Sequence, residues 1–286
     1  MSRRPLRLAA ALAALVLAGC EVPLDPIEPS DLYFSLSGYL DASADTQWVR
    51  VEPLAPTTAS DAGPIDAAVT LVDLGTGAEV ALTQRVRSFP TGPAHLFWTT
   101  APVPLGARYR LSARRPDGAE TTAPIELPAD GSFDVAVRTG RETCPTTVVV
   151  TGAQRVVEVQ ARYRVAQRDG RVAEFRFSHA DTFTRLDDGS IRASIYFADD
   201  ARRMDLDPID PQGLLSAEVV TAVATEAWPD PVGLSLEDVL QVEGFGVENG
   251  VGFVGGAVTE REPFVPGVIV IGFGPTATTL PCTSSR

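Results

Sequence analysis

Residues 68–83 read Ala-Val-Thr-Leu-Val-Asp-Leu-Gly-Thr-Gly-Ala-Glu-Val-Ala-Leu-Thr, and this stretch indicates the fold class. Two short runs of apolar and β-branched residues, 68–72 and 79–83, flank the turn-rich segment Asp73-Leu-Gly-Thr-Gly77. Aspartate and glycine adopt the backbone conformations that tight turns require, so the pattern predicts a β-hairpin.

Similar short alternating runs separated by turn residues fill the chain from Asp31 to Arg138. Short strands at such intervals are typical of a β-sandwich, and we predict one domain of this type over residues 31–140. Besides the hairpin, we expect strands at 32–40, 47–52, 95–99, 109–113 and 120–123. The hairpin with its turn, the aromatic strand at 95–99 and then Gly106-x-x-Tyr-x-Leu111 resemble prealbumin-like and carboxypeptidase-regulatory-like modules, which are scaffolds more often than enzymes. The sandwich is therefore expected to be of the immunoglobulin-like or prealbumin-like kind.

Residues 141–286 also read as mainly β and are predicted to form a second β-rich domain. Ser235 precedes acidic residues, as at the start of a short helix, so we expect a helix over 235–240. Residues 215–226 fit a strand or a short helix. Strands are expected at 147–151, 156–165, 173–178, 191–197 and 266–272.

The N-terminus has the features of a signal peptide. Three arginines precede the apolar run from Leu8 to Leu17, which is too short to span a membrane. The run ends in Leu17-Ala-Gly-Cys20, which resembles the lipobox of bacterial lipoproteins. That resemblance implies removal of residues 1–19, a lipid on Cys20 that anchors the protein to the membrane, and, because Glu21 follows, location at the outer membrane. The three prolines of residues 20–30 predict an extended tether.

Two further cysteines, Cys144 and Cys282, remain once Cys20 is lipidated. An extracytoplasmic compartment permits disulfides, so we predict a bond between them that encloses the second domain. Two free buried thiols are the alternative.

The charge of the chain disfavours some partners. It carries 24 basic and 37 acidic residues, a formal net charge of −13, and every basic residue is arginine. Nucleic acid and anionic lipid surfaces are therefore not expected as partners.

No residue pattern indicates catalysis, a metal or another cofactor. Gly250-Val-Gly-Phe-Val-Gly255 matches a dinucleotide fingerprint, but Pro263 soon follows where a helix is needed, so a glycine-rich bulged hairpin is predicted instead. His95 and His179 are far apart in sequence and do not form a zinc motif. The aspartates of 199–210 lack the spacing of a calcium loop and fit a solvated loop, with a calcium site as the alternative.

A carboxylate pair for glycoside hydrolysis is a further possibility, drawn from Glu174, Asp181, Asp187 and Asp188. Aromatic residues make up only 7% of the chain, which predicts no aromatic-rich cleft for a sugar. We therefore predict that the protein is not an enzyme.

The whole layout resembles the DUF4249 family of bacterial outer-membrane lipoproteins. The resemblance lies in the lipobox with its proline-rich start, Phe34-Ser-Leu-Ser-Gly-Tyr-Leu40, Gly106-x-x-Tyr-x-Leu111, and Glu248-Asn-Gly-Val-Gly-Phe-Val-Gly-Gly256. It implies an accessory protein of a TonB-dependent receptor or another envelope protein. We predict a non-catalytic binding protein for transport or surface assembly; a structural or adhesive envelope protein and a carboxylate-based hydrolase are the alternatives.

Overall fold

The computed structural model describes residues 32–54, 63–90, 92–140, 143–229, 246–271 and 278–284. The predicted signal peptide, Cys20, the tether and the helix predicted at 235–240 lie outside these residues. No helix among the described residues is long and apolar enough to cross a membrane.

Within the described residues strands are the main secondary structure. The strands are β1 Phe34–Asp41, β2 Gln47–Pro53, β3 Ala68–Asp73, β4 Glu79–Ala81, β5 Thr83–Phe89, β6 Gly92–Thr99, β7 Arg108–Arg114, β8 Glu120–Glu126, β9 Asp134–Arg138, β10 Thr146–Thr151, β11 Arg155–Ala166, β12 Val172–Ser178, β13 Thr184–Arg185, β14 Ile191–Ile195, β15 Leu214–Ala224, β16 Gly250–Pro263, β17 Val268–Ile271 and β18 Thr278–Pro281. A 3-10 helix spans Ala180–Thr182, and the helix α1 spans Phe197–Arg203.

One large sheet is the common layer of the fold. Its strand order is β12-β11-β15-β16-β1-β2-β6-β5. Two four-stranded sheets accompany it, a first small sheet in the order β4-β3-β7-β8 and a second small sheet in the order β13-β14-β10-β9, while β17 pairs with β18. The prediction of a mainly β fold with a sandwich is confirmed, and so is the hairpin of β3 and β4 around Asp73–Gly77.

Two hydrophobic cores lie against the large sheet. The first contains Leu36 and Val51 from the large sheet with Leu71 and Leu111 from the first small sheet. The second contains Tyr163 from β11, Val148 and Ile195 from the second small sheet, and Phe197 from α1. We call the side of the large sheet that supplies these side chains its inner face.

Strand β16 joins the two cores. Its first part runs parallel to β1, from Phe34 opposite Gly250 to Asp41 opposite Ala257, and its last part pairs antiparallel with β15. Val254 belongs to the first core and Val258 to the second. Segments on both sides of the boundary predicted at residue 140 contribute to each core, since Val135 of β9 packs against the second core and Val254 of β16 lies in the first, and both segments contribute strands to the large sheet.

The glycine-rich segment of residues 250–256 is a central strand, not the predicted bulged hairpin. The reason is close packing on both sides. A Cβ on Gly250 would lie 2.4 Å from the carbonyl oxygen of Phe34, and a Cβ on Gly256 would lie 2.3 Å from that of Glu126 in β8. Glycine is needed because neighbouring backbone occupies the space of a side chain.

The disulfide between Cys144 and Cys282 is confirmed, with the two Cα atoms 5.7 Å apart. Cys282 is buried, and its carbonyl oxygen accepts a hydrogen bond from the backbone N–H of Ala198. The disulfide thus joins the segment around Cys282 to Cys144, and the hydrogen bond joins the same segment to helix α1.

Two local differences from the sequence prediction have physical reasons. The strand expected at 191–197 ends at Ile195, and Phe197 begins α1, which has Asp199 and Asp200 in its first turn and arginines in its last. Such charges favour a helix through its dipole. Residues 214–224, for which strand and helix were both open, form β15 because the segment pairs on both sides, with β11 and β16.

Candidate binding groove

The large sheet has an outer face, opposite the two cores. Successive side chains of a strand point to opposite faces. On β1, Leu36 and Leu40 are fully buried in the first core, whereas Ser37 and Tyr39 point to the other side. This outer face combines aromatic and charged side chains.

A groove of about 700 Å³ runs along the outer face over β1, β11, β15 and β16. Its lining combines aromatic rings, arginines and hydrogen-bonding groups. The side chains that define it are Tyr39, Trp228, Phe253, Arg162, Arg176, Arg261, Asp41, Glu158, Gln160 and Thr259.

Trp228 forms one wall of the groove. The turn after β15, in which the N–H of Trp228 donates to the carbonyl oxygen of Thr225, places this ring over Gly255 of β16. A Cβ on Gly255 would lie 2.5 Å from a carbon of the indole. The ring meets Phe253 edge-on at 5.1 Å between centroids and Tyr39 at 6.0 Å. Gly255 therefore provides the space that the indole occupies.

The aromatic surface continues across the sheet beyond the groove. Tyr39 lies directly opposite Trp48 in β2, and Trp48 lies opposite Trp98 in β6, with the two indoles 5.8 Å apart. Tyr39 is 49% exposed and Trp48 is 36% exposed. We call Trp228, Tyr39, Trp48 and Trp98 the aromatic row.

All three tryptophans of the sequence belong to this row. The low aromatic content predicted no aromatic-rich cleft, and that expectation is wrong. Trp48 and Trp98 are adjacent because β2 pairs with β6, and Trp228 joins them through the turn after β15. Strand order thus concentrates residues that are far apart in sequence. In the sequence, only the alternation of residues 34–40 and 47–52, which places Tyr39 and Trp48 on the outward side of their strands, indicated an exposed aromatic surface.

Three arginines, the arginine cluster, occupy the other end of the groove. Arg162 lies opposite Arg176 across β11 and β12, and Arg261 lies two strands away on β16. The Nε of Arg162 donates to Oε1 of Gln160 at 2.8 Å, and Arg176 pairs with Glu174. Among the residues that the structure describes, neither Arg162 nor Arg261 forms an ion pair.

The charges of the groove influence one another. The pKa of the Arg162 guanidinium is lowered, first by burial and then by the positive charges of Arg176 and Arg261. The pKa of the Tyr39 phenol is raised, first by burial and then by Asp41, against the opposing effect of Arg162. The phenol and the guanidinium groups therefore face a common space.

Asp41 has a structural task within this lining. Its Oδ1 accepts hydrogen bonds from the N–H and hydroxyl of Ser43 and from the N–H of Thr259, at 2.9, 2.7 and 3.1 Å. These bonds fix the end of β1 to β16. The carboxylate thereby holds the floor of the groove in place.

The two histidines considered for metal binding lie in buried positions apart from the groove lining. His95 is 4% exposed, and its backbone N–H donates to Oε1 of Glu52 at 3.0 Å. His179 Nε2 lies 3.1 Å from Oδ2 of Asp200, which also accepts a 2.7 Å hydrogen bond from the hydroxyl of Tyr163. This second arrangement is a buried polar network in the second core.

The acidic segment 199–210 is not a uniform solvated loop. Asp200 lies in α1 and is 1% exposed, because its carboxylate serves the buried network. Asp199 pairs with Arg202, and Asp207 accepts a hydrogen bond from the N–H of Ile209. Within the described residues, no group of three or more His, Cys, Asp or Glu side chains could hold a metal ion.

The carboxylates considered for hydrolysis have local roles or lie exposed. Glu174 pairs with Arg176 at the groove margin. Asp188 accepts hydrogen bonds from the hydroxyl and N–H of Ser190, and these bonds lower its pKa. Asp181 and Asp187 are exposed. None of the four lines the groove.

No family model matches the chain, and no curated protein matches it either. Among solved structures, it is similar to a pullulanase of Anoxybacillus sp. LM18-11 complexed with maltotriose, with 14% identity over 67% of this chain and 24% of that chain and a TM-score of 0.24. It is also similar to a tetra-tandem repeat in the extending region of a large adhesion protein, with 16% identity over 82% of this chain and 50% of that chain and a TM-score of 0.20. The FN1–FN3 domains of chicken CNTN1 give 12% identity over 80% and 62%, with a TM-score of 0.23. The chain thus spans less than two thirds of each of these chains.

Proposed function

We propose that the chain is a non-catalytic binding protein of the outer membrane, anchored by a lipid on Cys20, that binds a ligand in the groove for a transport or surface-assembly system. The observation that carries this proposal is the outer face of the large sheet, where exposed aromatic rings adjoin arginines. Exposed aromatic patches bordered by polar groups mark interaction sites, and Trp, Tyr and Arg are the residues that dominate binding energies.

The position of the groove on regular strands supports a binding role. Strands β1, β11, β15 and β16 each pair with a neighbour on both sides. The backbone that carries the groove side chains is therefore fixed before a ligand arrives, which lowers the entropy that binding must offset.

The sequence supports the location of this site outside the cytoplasm. The lipobox-like segment ending at Cys20 and the proline-rich residues after it fit an anchor and a tether. The disulfide between Cys144 and Cys282 fits an oxidising compartment. The resemblance to DUF4249 lipoproteins supports a partner such as a TonB-dependent receptor.

The binding role is tested with the full-length chain, purified in detergent, immobilised and incubated with solubilised cell envelope. We expect bound envelope components to be lost with Arg162→Ala/Arg261→Ala. They should be retained with Arg108→Ala/Arg110→Ala, which changes two exposed arginines of β7 in the first small sheet. Equal retention by the wild type and both variants would refute the groove as the binding site.

The anchor is tested by fractionating cells that express the wild type or Cys20→Ser. We expect the wild type in the outer-membrane fraction and the variant in the soluble fraction, because the variant lacks the acyl chains that bury in the bilayer. A Cys20→Ser variant that remains in the outer membrane contradicts the lipid anchor.

A further inference from the structure

The backbone of the groove offers little to a ligand. Its four strands are interior strands of the large sheet, so their N–H and C=O groups are already paired with neighbouring strands. An extended peptide gains most of its affinity from main-chain hydrogen bonds at a free sheet edge. Recognition in this groove must therefore come from side chains.

The arginine cluster favours a ligand that carries negative charge. Three guanidinium groups gather here in a chain whose net charge is −13. Among the described residues Arg162 and Arg261 form no ion pair, and the charges of Glu218 and Glu174 only partly offset the repulsion of Arg162 by Arg176 and Arg261. A guanidinium group binds a carboxylate with two parallel hydrogen bonds. Bringing a carboxylate between Arg162 and Arg261 would relieve the repulsion between these two like charges.

The aromatic row favours a ligand whose rings present flat apolar faces. From Trp228 over β16 to Trp98 in β6 the row crosses three strand intervals, about 14 Å at the usual strand spacing. Indole and phenol rings are rigid and offer flat apolar faces with a polar edge. The C–H faces of pyranose rings stack on such surfaces, and a short oligosaccharide matches the length of the row.

We infer that the groove and the adjoining aromatic row bind an oligosaccharide that carries carboxylate groups, a uronic-acid glycan, with sugar rings along the aromatic row and a carboxylate on Arg162 and Arg261. This inference rests on the binding function proposed above. Gln160 and Thr259 also line the groove and provide partners for sugar hydroxyls. An inorganic or lipid phosphate would use the arginines alone and leave the aromatic row without a role.

The test uses the detergent-solubilised full-length chain and measures tryptophan fluorescence and calorimetry with defined probes. The probes are oligomers of galacturonate, of mannuronate and guluronate, and of glucuronate, each beside its carboxyl-reduced neutral form. We expect at least one uronate oligomer to bind and its neutral form to bind about tenfold more weakly, the effect of losing one charge-assisted pair. Raising the salt from about 0.05 M to about 0.5 M should weaken the uronate complex, because the interaction is electrostatic.

Variants test which part of the ligand contacts the arginine cluster and which part contacts the aromatic row. Arg162→Gln/Arg261→Gln should weaken uronate binding about tenfold and leave binding of the neutral form unchanged, whereas Trp48→Ala should weaken both. Arg108→Gln/Arg110→Gln is the matched control and should change neither. An arginine variant that binds the uronate as the wild type does would overturn the assignment of the carboxylate.

Other outcomes separate this inference from the proposed function. If no uronate binds, or if each neutral form binds as tightly as its acid, while envelope components still depend on the groove arginines, the ligand class is wrong and the binding function stands. If a poly-glutamate peptide binds more tightly than every uronate with the same arginine dependence, the ligand is an acidic peptide. If the groove variants retain envelope components as well as the wild type does, the proposed function fails.

Discussion

The two faces of the large sheet are built by the same strands but have opposite chemistry. On β1, Leu36 is fully buried between sheets, whereas Tyr39, three residues later, is half exposed in the aromatic row. On β16, Gly256 packs against the backbone of β8, whereas the neighbouring Gly255 lies under Trp228. The inner face supplies the side chains of the two cores, and the outer face carries the partly exposed rings of the aromatic row and the arginine cluster. Stability and binding should therefore respond to different residues of one strand.

The largest contrast is expected between two adjacent residues of β1. Leu36→Ala should lower the free energy of unfolding by about 3–5 kcal/mol, because it leaves a cavity in the first core. Ser37→Ala, on the outer face, should change it by less than about 0.5 kcal/mol. Urea unfolding followed by circular dichroism measures both. Similar losses for the two variants would contradict the assignment of faces.

A second contrast uses the adjacent glycines of β16. Gly256→Ala should cost about 1–3 kcal/mol of unfolding free energy, because its Cβ would meet the Glu126 carbonyl oxygen, which is part of the backbone and cannot move away. In Gly255→Ala the new methyl group meets the Trp228 ring, a side chain that can shift. We expect a smaller loss of stability but a changed tryptophan emission spectrum and weaker ligand binding. A larger stability loss for Gly255→Ala than for Gly256→Ala would reverse the comparison.

Alkaline pH should reveal the inner-face network around Tyr163. Its pKa is raised well above the ordinary value of about 10, first by burial and then by the charge of Asp200 and the hydrogen bond to it. Below pH 10 both the folded and the unfolded chain keep the phenol proton, so the stabilisation is fully present. Above pH 10 only the unfolded chain loses it, and stability should fall by about 1.4 kcal/mol per pH unit from this group.

The control for this pH dependence is Tyr163→Phe. It removes the ionisable hydroxyl, so its free energy of unfolding should fall less steeply between pH 10 and pH 11 in urea titrations. It should also be less stable than the wild type at neutral pH, because Asp200 loses a buried hydrogen-bond donor. Equal slopes for the two chains would show that Tyr163 does not carry the alkaline transition.

A small effect on stability, paired with a clear effect on binding, is expected in the aromatic row. Trp48→Ala removes a ring that is 36% exposed and contacts Trp98, so it should cost no more than about 1 kcal/mol. The same variant should nevertheless weaken glycan binding severalfold, measured by calorimetry. A variant that unfolds easily but binds normally would place Trp48 among the structural residues.

Much of the fold was predictable because strand formation depends on local patterns. The hairpin around Asp73–Gly77 and the alternation of Phe34–Leu40 were visible directly in the sequence, and the disulfide followed from cysteine number and compartment. Helix α1 was missed because residues 197–203 read as the end of a strand and the start of an acidic loop, although the acids in its first turn and the arginines in its last are a local helix signal. The hydrogen bonds of Asp200 with Tyr163 and His179 join it to distant segments. Such long-range hydrogen bonds leave no local pattern.

The candidate site was not predictable to the same degree. Composition gave the number of aromatic residues but not their positions in space, and the 7% content suggested no cleft. The arginine cluster likewise depends on the pairing of β11 with β12 and β15, and of β15 with β16. A site in a sequence is usually found through a catalytic motif. The groove is instead built by side chains from paired strands, so no such motif pointed to it.

The sequence by itself determined the alternation of inward and outward residues, the turns and the cysteine pair, because each depends on neighbouring residues or on residue count. The lipid anchor on Cys20 stays a prediction. Only the tertiary structure decided that β16 lies beside β1, that two cores share one sheet, and that three distant tryptophans form a row which begins at a groove lined by three arginines. The physical reason is that strand order is set by packing among distant segments. Gly250 and Gly256, with no side chain, allow β16 to pass between β1 and β8 at distances that any other residue would prevent.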